Sequence, residues 1–251
     1  MKTVLITGCS SGFGLATAHY FLARDWKVIA TMRTPNEALF TASENLRVLA
    51  LDVTDPGSIQ QVVQAAGPID VLVNNAGIGL LGALEGCSMQ GIRDIFETNT
   101  FGTMAMIQAL LPQFRQRKAG VVINVTSSVT MKSLPLLSVY TASKAAVNAF
   151  TESLALELEP FHVRVSLVLP GRAPTTDFGK NAQPRLQGSI PEAYSDLAQQ
   201  IFAEWAQPAE VTEAEDVAEA VWRAANDPTA PMRIAAGADA VALESEQSTP
   251  A

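Results

Sequence analysis

"KTVLITGCSSGFG", residues 2 to 14, begins as an apolar strand and breaks into glycines before an apolar helical stretch. Val4, Leu5 and Ile6 follow one another without a polar residue between them. That run suits a strand buried on both faces rather than one with a wet side. Glycine lets the chain turn tightly and bring its backbone close to a pyrophosphate. At a helix N-terminus, free N–H groups and the helix dipole favour such an anion. A glycine turn between a first strand and a first helix is therefore a candidate nucleotide loop. Its expected cofactor contacts are Gly8, Ser10, Ser11, Gly12, Phe13 and Gly14.

The same alternation continues outward. Apolar runs at 26–32, 46–52, 69–74, 120–127, 163–170 and 233–237 read as further strands. Helical patterns fall at 13–24, 58–66, 99–118 and 139–159. Strand–helix alternation with uniformly apolar strands means a parallel sheet wound with helices on both faces. The fold class is α/β, with about seven strands in one domain over residues 1–240. Residues 171–207 break the rhythm with Pro174, Pro184, Pro191 and an amphipathic YSDLAQQIFAEW. A long segment at the carboxyl end of a strand reads as a substrate lid. A subunit contact is compatible with it. The polar residues 241–251 read as a flexible tail.

Composition narrows the function classes. A net charge of −8 argues against a nucleic-acid surface. No apolar stretch approaches the ~20 residues of a membrane span, and MKTVLITG enters a strand without a signal-peptide pattern. Cys9 and Cys87 read as free thiols in a reducing compartment, which makes the cytoplasm the expected location. No metal site is visible. His19 and His162 lack partners at ligand spacing and read as structural or solvated.

"SVYTASKAA", residues 138 to 146, places Tyr140 and Lys144 one helical turn apart on one face. Hydride transfer to a ketone leaves an alkoxide that must receive a proton. A tyrosine of pKa ~10 serves as acid, and as a base at pH 7 only if lowered by ~3 units, or about 4 kcal/mol. A unit charge ~4 Å away at an effective dielectric of ~20 supplies about that much. Lys144 is therefore expected to lower the Tyr140 pKa.

Together these segments resemble the short-chain dehydrogenase/reductase family. The chain carries TGxxxGxG at 7–14, NNAG at 74–77, an Asn at 99, Ser127 with Tyr140-xxx-Lys144, and Pro170-Gly171 after the sixth strand. The resemblance runs from about residue 2 to 177. It implies a Rossmann-type doubly wound sheet and a catalytic set of Asn99, Ser127, Tyr140 and Lys144. Tyr140 is then general acid and base. Lys144 tunes it and holds the nicotinamide ribose, Ser127 polarises the carbonyl, and Asn99 supports a water leading to Lys144. The family's spacing of serine to tyrosine selects Ser127 over Ser128. Asp52 and Val53 look like the adenine-contacting pair, the alternative for Asp52 being a turn cap. Asn75, Ala76, Gly77, Pro170 and Gly171 are implied cofactor contacts. Relatives carry a threonine beyond Pro-Gly at the cofactor amide; Thr175 and Thr176 both qualify here.

An acid at the end of the second strand would hold ribose hydroxyls. None occurs between Val28 and Asn36, and Arg33 stands there instead. A guanidinium suits a 2′-phosphate, so NADP(H) is expected ahead of NAD(H). The expected activity is reversible reduction of a small-molecule hydrophobic ketone or aldehyde to an alcohol. Leu80, Leu81, Lys132, Leu134, Phe178, Tyr194, Phe202 and Trp205 are candidate pocket residues, and Arg172 at the mouth argues against a wholly apolar pocket. The glycine loop and ATMR also look like the steroid and retinol dehydrogenase branch. The alternatives are an NAD-linked alcohol dehydrogenase and a non-catalytic NADP(H)-sensing regulator. The family also implies a homodimer or homotetramer through the helices at 99–118 and 139–159.

Overall fold

A computed structural model describes residues 1–186, 188–207 and 209–248. Seven parallel strands lie in the order β3-β2-β1-β4-β5-β6-β7. They are β1 (Thr3–Ile6), β2 (Lys27–Met32), β3 (Leu46–Ala50), β4 (Val71–Asn74), β5 (Gly120–Val125), β6 (Val163–Pro170) and β7 (Arg233–Ala236). The order reverses between β1 and β4, and the glycine loop leaves β1 at this switch point, where open α/β sheets bind ligands.

The helices are α1 (Gly12–Leu22), α2 (Pro56–Ala66), α3 (Met89–Phe96), α4 (Gly102–Arg117), α5 (Ser138–Leu158), α6 (Phe178–Leu186), α7 (Ser195–Trp205), α8 (Ala214–Asn226) and α9 (Ala238–Ser248). Alternate strand residues go to opposite layers. Val4, Ile6, Val71 and Val73 meet α1 and α8 on one face. Leu5, Leu72 and Val122 meet α2, α4 and α5 on the other. Fully buried Leu5, Leu72 and Leu110 each stabilise by about 1.5–3 kcal/mol relative to exposure. Phe21, Trp26 and Trp222 join α1, β2 and α8 edge to face, with centroids 5.0 to 5.7 Å apart.

The structure amends the sequence reading in three places. Residues 171–207 are not a bare loop but carry α6 and α7, and α7 buries Ala198 and Ile201 against Ala83 and Leu136. Residues 241–248 of the expected tail continue the helix α9, and residues 249–251 lie outside the described residues. The helix expected at 99–118 is the second half of a longer one. α3 runs through a π-helical turn, Glu97–Phe101, into α4. Among the described residues no helix is long and apolar enough to cross a membrane.

Candidate active site

The glycine loop is shaped by what surrounds it. Gly8 has φ +75°, and a Cβ there would lie 2.8 Å from the Ala76 backbone. Gly14 packs directly on the Gly8 carbonyl and the Asn75 amide. Asn75 Nδ2 donates to the Thr7 and Gly8 carbonyls at 2.9 and 3.1 Å. The backbone N–H groups of Asn75 and Ala76 donate to Thr7 Oγ1 at 3.0 and 2.9 Å. The NNAG segment therefore locks the loop in place.

Ser11 precedes α1 with no capping bond from its side chain, so the first N–H groups of α1 are not covered by it. A cleft of about 450 Å³ opens here, lined by Ser11, Gly12, Leu15, Ala16, His19, Thr175, Thr176, Asp177 and Ala214. Both candidate threonines line it, and Thr176 lies nearer the loop, its Cβ 3.4 Å from where a Gly12 Cβ would stand. Arg33, exposed just beyond β2, lies near Asp52. The Asp52 carboxyl is held below its usual range by the Thr54 hydroxyl and N–H, at 2.7 and 2.9 Å, and by the Arg33 charge. Asp52 therefore closes a turn, the alternative its sequence left open. Val53 is buried against Gly102, so the smallness of Gly102 serves internal packing. A loop of glycines and an uncapped helix start fit the pyrophosphate of a dinucleotide.

At the carboxyl ends of β4 and β5 the four expected catalytic residues converge, each under a tenth exposed. Ser127 ends the chain out of β5 in extended conformation, and its Oγ accepts from the Val129 N–H at 3.3 Å. Tyr140 and Lys144 lie on the first two turns of α5, and Lys144 Nζ donates to the Val125 carbonyl at 3.1 Å. Asn99 sits in the π-turn, a bulge that re-aims its side chain. Its Oδ1 accepts from Ile78 N–H at 2.8 Å, and its Nδ2 donates to Ile78 O at 3.0 Å and Ser143 Oγ at 3.1 Å. Gly77 leaves room between them: a Cβ there would meet Asn99 Oδ1 at 3.3 Å and Lys144 Nζ at 3.4 Å.

The electrostatics differ from the sequence expectation. Burial raises the Tyr140 pKa above that of an ordinary phenol, and a hydrogen bond with Ser127 pulls it only partway back. Burial also brings Lys144 down to about 8. The ammonium is 5.9 Å from the centre of the Tyr140 ring. At both groups desolvation is the largest influence. Cys9 is fully buried with its thiol pushed up to about 12, which makes it a packed residue rather than a nucleophile.

Of the pocket candidates, Phe178 stands over the site, its ring 5.7 Å from that of Tyr140, and Gly79 leaves space beneath it. Leu80 instead packs inward with Ile95 and Val139. Leu81, Tyr194 and Trp205 belong to the apolar cluster under α7. Arg172 turns its guanidinium to the Trp205 carbonyl, so it caps α7. Sequence reasoning passed over Thr212 and Asp239, which grip the Gly171 and Arg172 backbone. Neither lies in a recognisable motif. Among the described residues no group of three or more His, Cys, Asp or Glu side chains is placed to hold a metal ion.

A family model described as short chain dehydrogenase matches residues 2–187. Retinol dehydrogenase 8 of Bos taurus is 41% identical over 192 residues, covering 71% of this chain and 61% of its own. A 3-ketodihydrosphingosine reductase of Bacteroides thetaiotaomicron is 40% identical over 174 residues, covering 68% and 63%. The chain thus aligns with little more than three-fifths of those relatives' lengths. Among solved structures, a short-chain dehydrogenase from Streptomyces avermitilis superposes with a TM-score of 0.82 at 32% identity, over 98% of this chain and 91% of that one. A serine dehydrogenase complexed with NADP+ gives 0.81 at 28%, over 94% and 95%. With its glycine loop, its Ser–Tyr–Lys centre and these matches, the chain belongs to the short-chain dehydrogenase family.

Proposed function

We propose that this protein reduces an apolar ketone or aldehyde to the alcohol with NADPH, and runs the reverse reaction with NADP+. The observation that carries the reading is the convergence of Ser127, Tyr140, Lys144 and Asn99 beneath Phe178, beside the glycine loop. Gly8, Gly12, Gly14 and the start of α1 would hold the pyrophosphate, Arg33 the 2′-phosphate, and Lys144 and the Pro170–Gly171 turn the nicotinamide end. When bound, the nicotinamide supplies or takes the hydride. Ser127 donates a hydrogen bond to the carbonyl oxygen, and Tyr140 delivers the proton to it. The phenol holds its proton near neutral pH and so is available as the acid. The Lys144 charge stabilises the phenolate left behind, and Asn99 supports the route by which a proton returns. Phe178 and the α6–α7 lid exclude water from the reacting atoms.

The apolar substrate class is supported by Phe178 over Tyr140 and by relatives named for retinol, ketosphingoid and hydroxysteroid chemistry. Membership of the family supports a homodimer or homotetramer through α4 and α5. NADPH and NADH titrations followed by tryptophan fluorescence, then a carbonyl panel read at the nicotinamide absorbance, test the reading. Tight NADPH binding with turnover is expected; NADH preference would overturn the role of Arg33. Binding without turnover would favour the sensing alternative.

A further inference from the structure

The strand β6 hands over to the lid at Pro170-Gly171-Arg172, and those backbone groups are held by two residues far along the chain. Gly171 N–H donates to Thr212 Oγ1 at 2.8 Å, and Arg172 N–H donates to Asp239 Oδ2 at 2.6 Å. Thr212 is fully buried; its hydroxyl proton has Asp239 Oδ1 at 2.7 Å and the Ala236 carbonyl at 2.9 Å as acceptors. Its own N–H returns to the Arg172 carbonyl at 2.8 Å. The fit leaves no room for a side chain: a Cβ on Gly171 would fall on the Asp239 carboxylate, and one on Gly237 would fall on Thr212. Further along α9, Gln247 donates to the Met131 carbonyl, in the turn that follows Ser127. The C-terminal helix therefore touches both the lid hinge and the loop behind the catalytic serine.

We propose that Thr212 and Asp239 form a latch that fixes the hinge of the lid, with Asp239 a positioning residue for cofactor and substrate binding. The proposal rests on reading Pro170–Gly171 as the cofactor wall. A loosened hinge populates closed states less, and apparent affinity falls with the competent fraction while turnover of the bound complex holds. Asp239→Ala is expected to speed amide exchange at residues 171–172 about tenfold or more. The same variant should raise the NADPH Kd and carbonyl KM by about tenfold, with kcat within about twofold. Thr212→Val should match it, Thr212→Ser should retain wild-type values, and the double variant should be no worse than either single one. Should Asp239→Ala fail to fold, the Thr212→Val and Thr212→Ser pair decides.

Exchange at 171–172 that stays at the wild-type rate would overturn the latch. So would acceleration that extends equally to Leu167 and Val168 in β6 with Kd and KM unchanged, since that is general destabilisation. A wild-type protein that bound no NADPH would sink the reductase reading, and the exchange comparison would still decide the latch.

Discussion

The first 170 residues and the remaining 81 are built on different terms. In the first, function sits in short runs whose geometry is local: a glycine turn between β1 and α1, and Tyr140 and Lys144 one turn apart on α5. In the second, the parts that matter meet only in three dimensions. Thr212 and Asp239 reach back to Gly171 and Arg172, and Phe178 reaches Tyr140 from α6. Local geometry leaves a motif in the sequence, whereas long-range polar contacts leave single residues without a pattern. Under the proposed function the chemistry belongs to the first region and its gating to the second.

The sharpest break between the two is Tyr140→Phe. It should lower kcat by ~1,000-fold, as loss of a general acid does, while the NADPH Kd stays near wild type. A matching loss of binding would mean that Tyr140 shapes the site rather than the proton transfer.

Lys144 gives the next largest effect, this time in stability. Its pKa is near 10.5 unfolded and about 8 folded. Between those values the unfolded chain carries the proton that the folded chain has lost, so stability rises with pH across that window. The Lys144 contribution is about 3 kcal/mol at most, read as the difference in urea midpoint between wild type and Lys144→Met at pH 7 and pH 10. Lys144→Met should remove that contribution and leave only the fall with pH from Cys9 and Tyr140. Cys9 and Tyr140, raised by burial, oppose the rise above about pH 9 in both proteins, so a midpoint difference between wild type and Lys144→Met that stays constant with pH would mean that Lys144 is solvated.

Arg33→Asp should shift preference from NADPH towards NADH by about ten- to a hundredfold, the worth of a charged hydrogen bond, seen in the ratio of the two Kd values. Both constants unchanged would leave Arg33 a solvated strand end. The smallest change is expected on the lid side. Phe178, 41% exposed, forms one wall of the site, so Phe178→Ala should raise the carbonyl KM about fivefold with little change in kcat, as loss of partial apolar burial does. An equal fall in kcat would move Phe178 into the chemical region.

The strands at 163–170 and 120–125 were readable because both-face burial leaves them mostly apolar, with Arg164, Ser166 and Asn124 their polar residues. α5 and its tyrosine–lysine pair were readable from spacing alone. The π-turn around Asn99 was not, because one residue inserted into a helix changes no composition. Residues 241–251 read as a flexible tail because they are polar, whereas α9 is held to the fold through Ala240, Asp239 and Gln247. The Tyr140 pKa was misjudged for a related reason. The lysine spacing is visible in the sequence, and the burial that opposes it is not.

The central claim is that Tyr140 transfers the proton in an NADPH-dependent carbonyl reduction. Its most direct test is single-turnover NADPH oxidation with an apolar ketone, in wild type and Tyr140→Phe, with NADPH affinity measured on the same samples. The account predicts turnover in the wild type, equal affinity in both, and a rate in the variant lower by ~1,000-fold. Equal rates in the two proteins, or a wild type that binds NADPH and reduces no ketone or aldehyde, would contradict it.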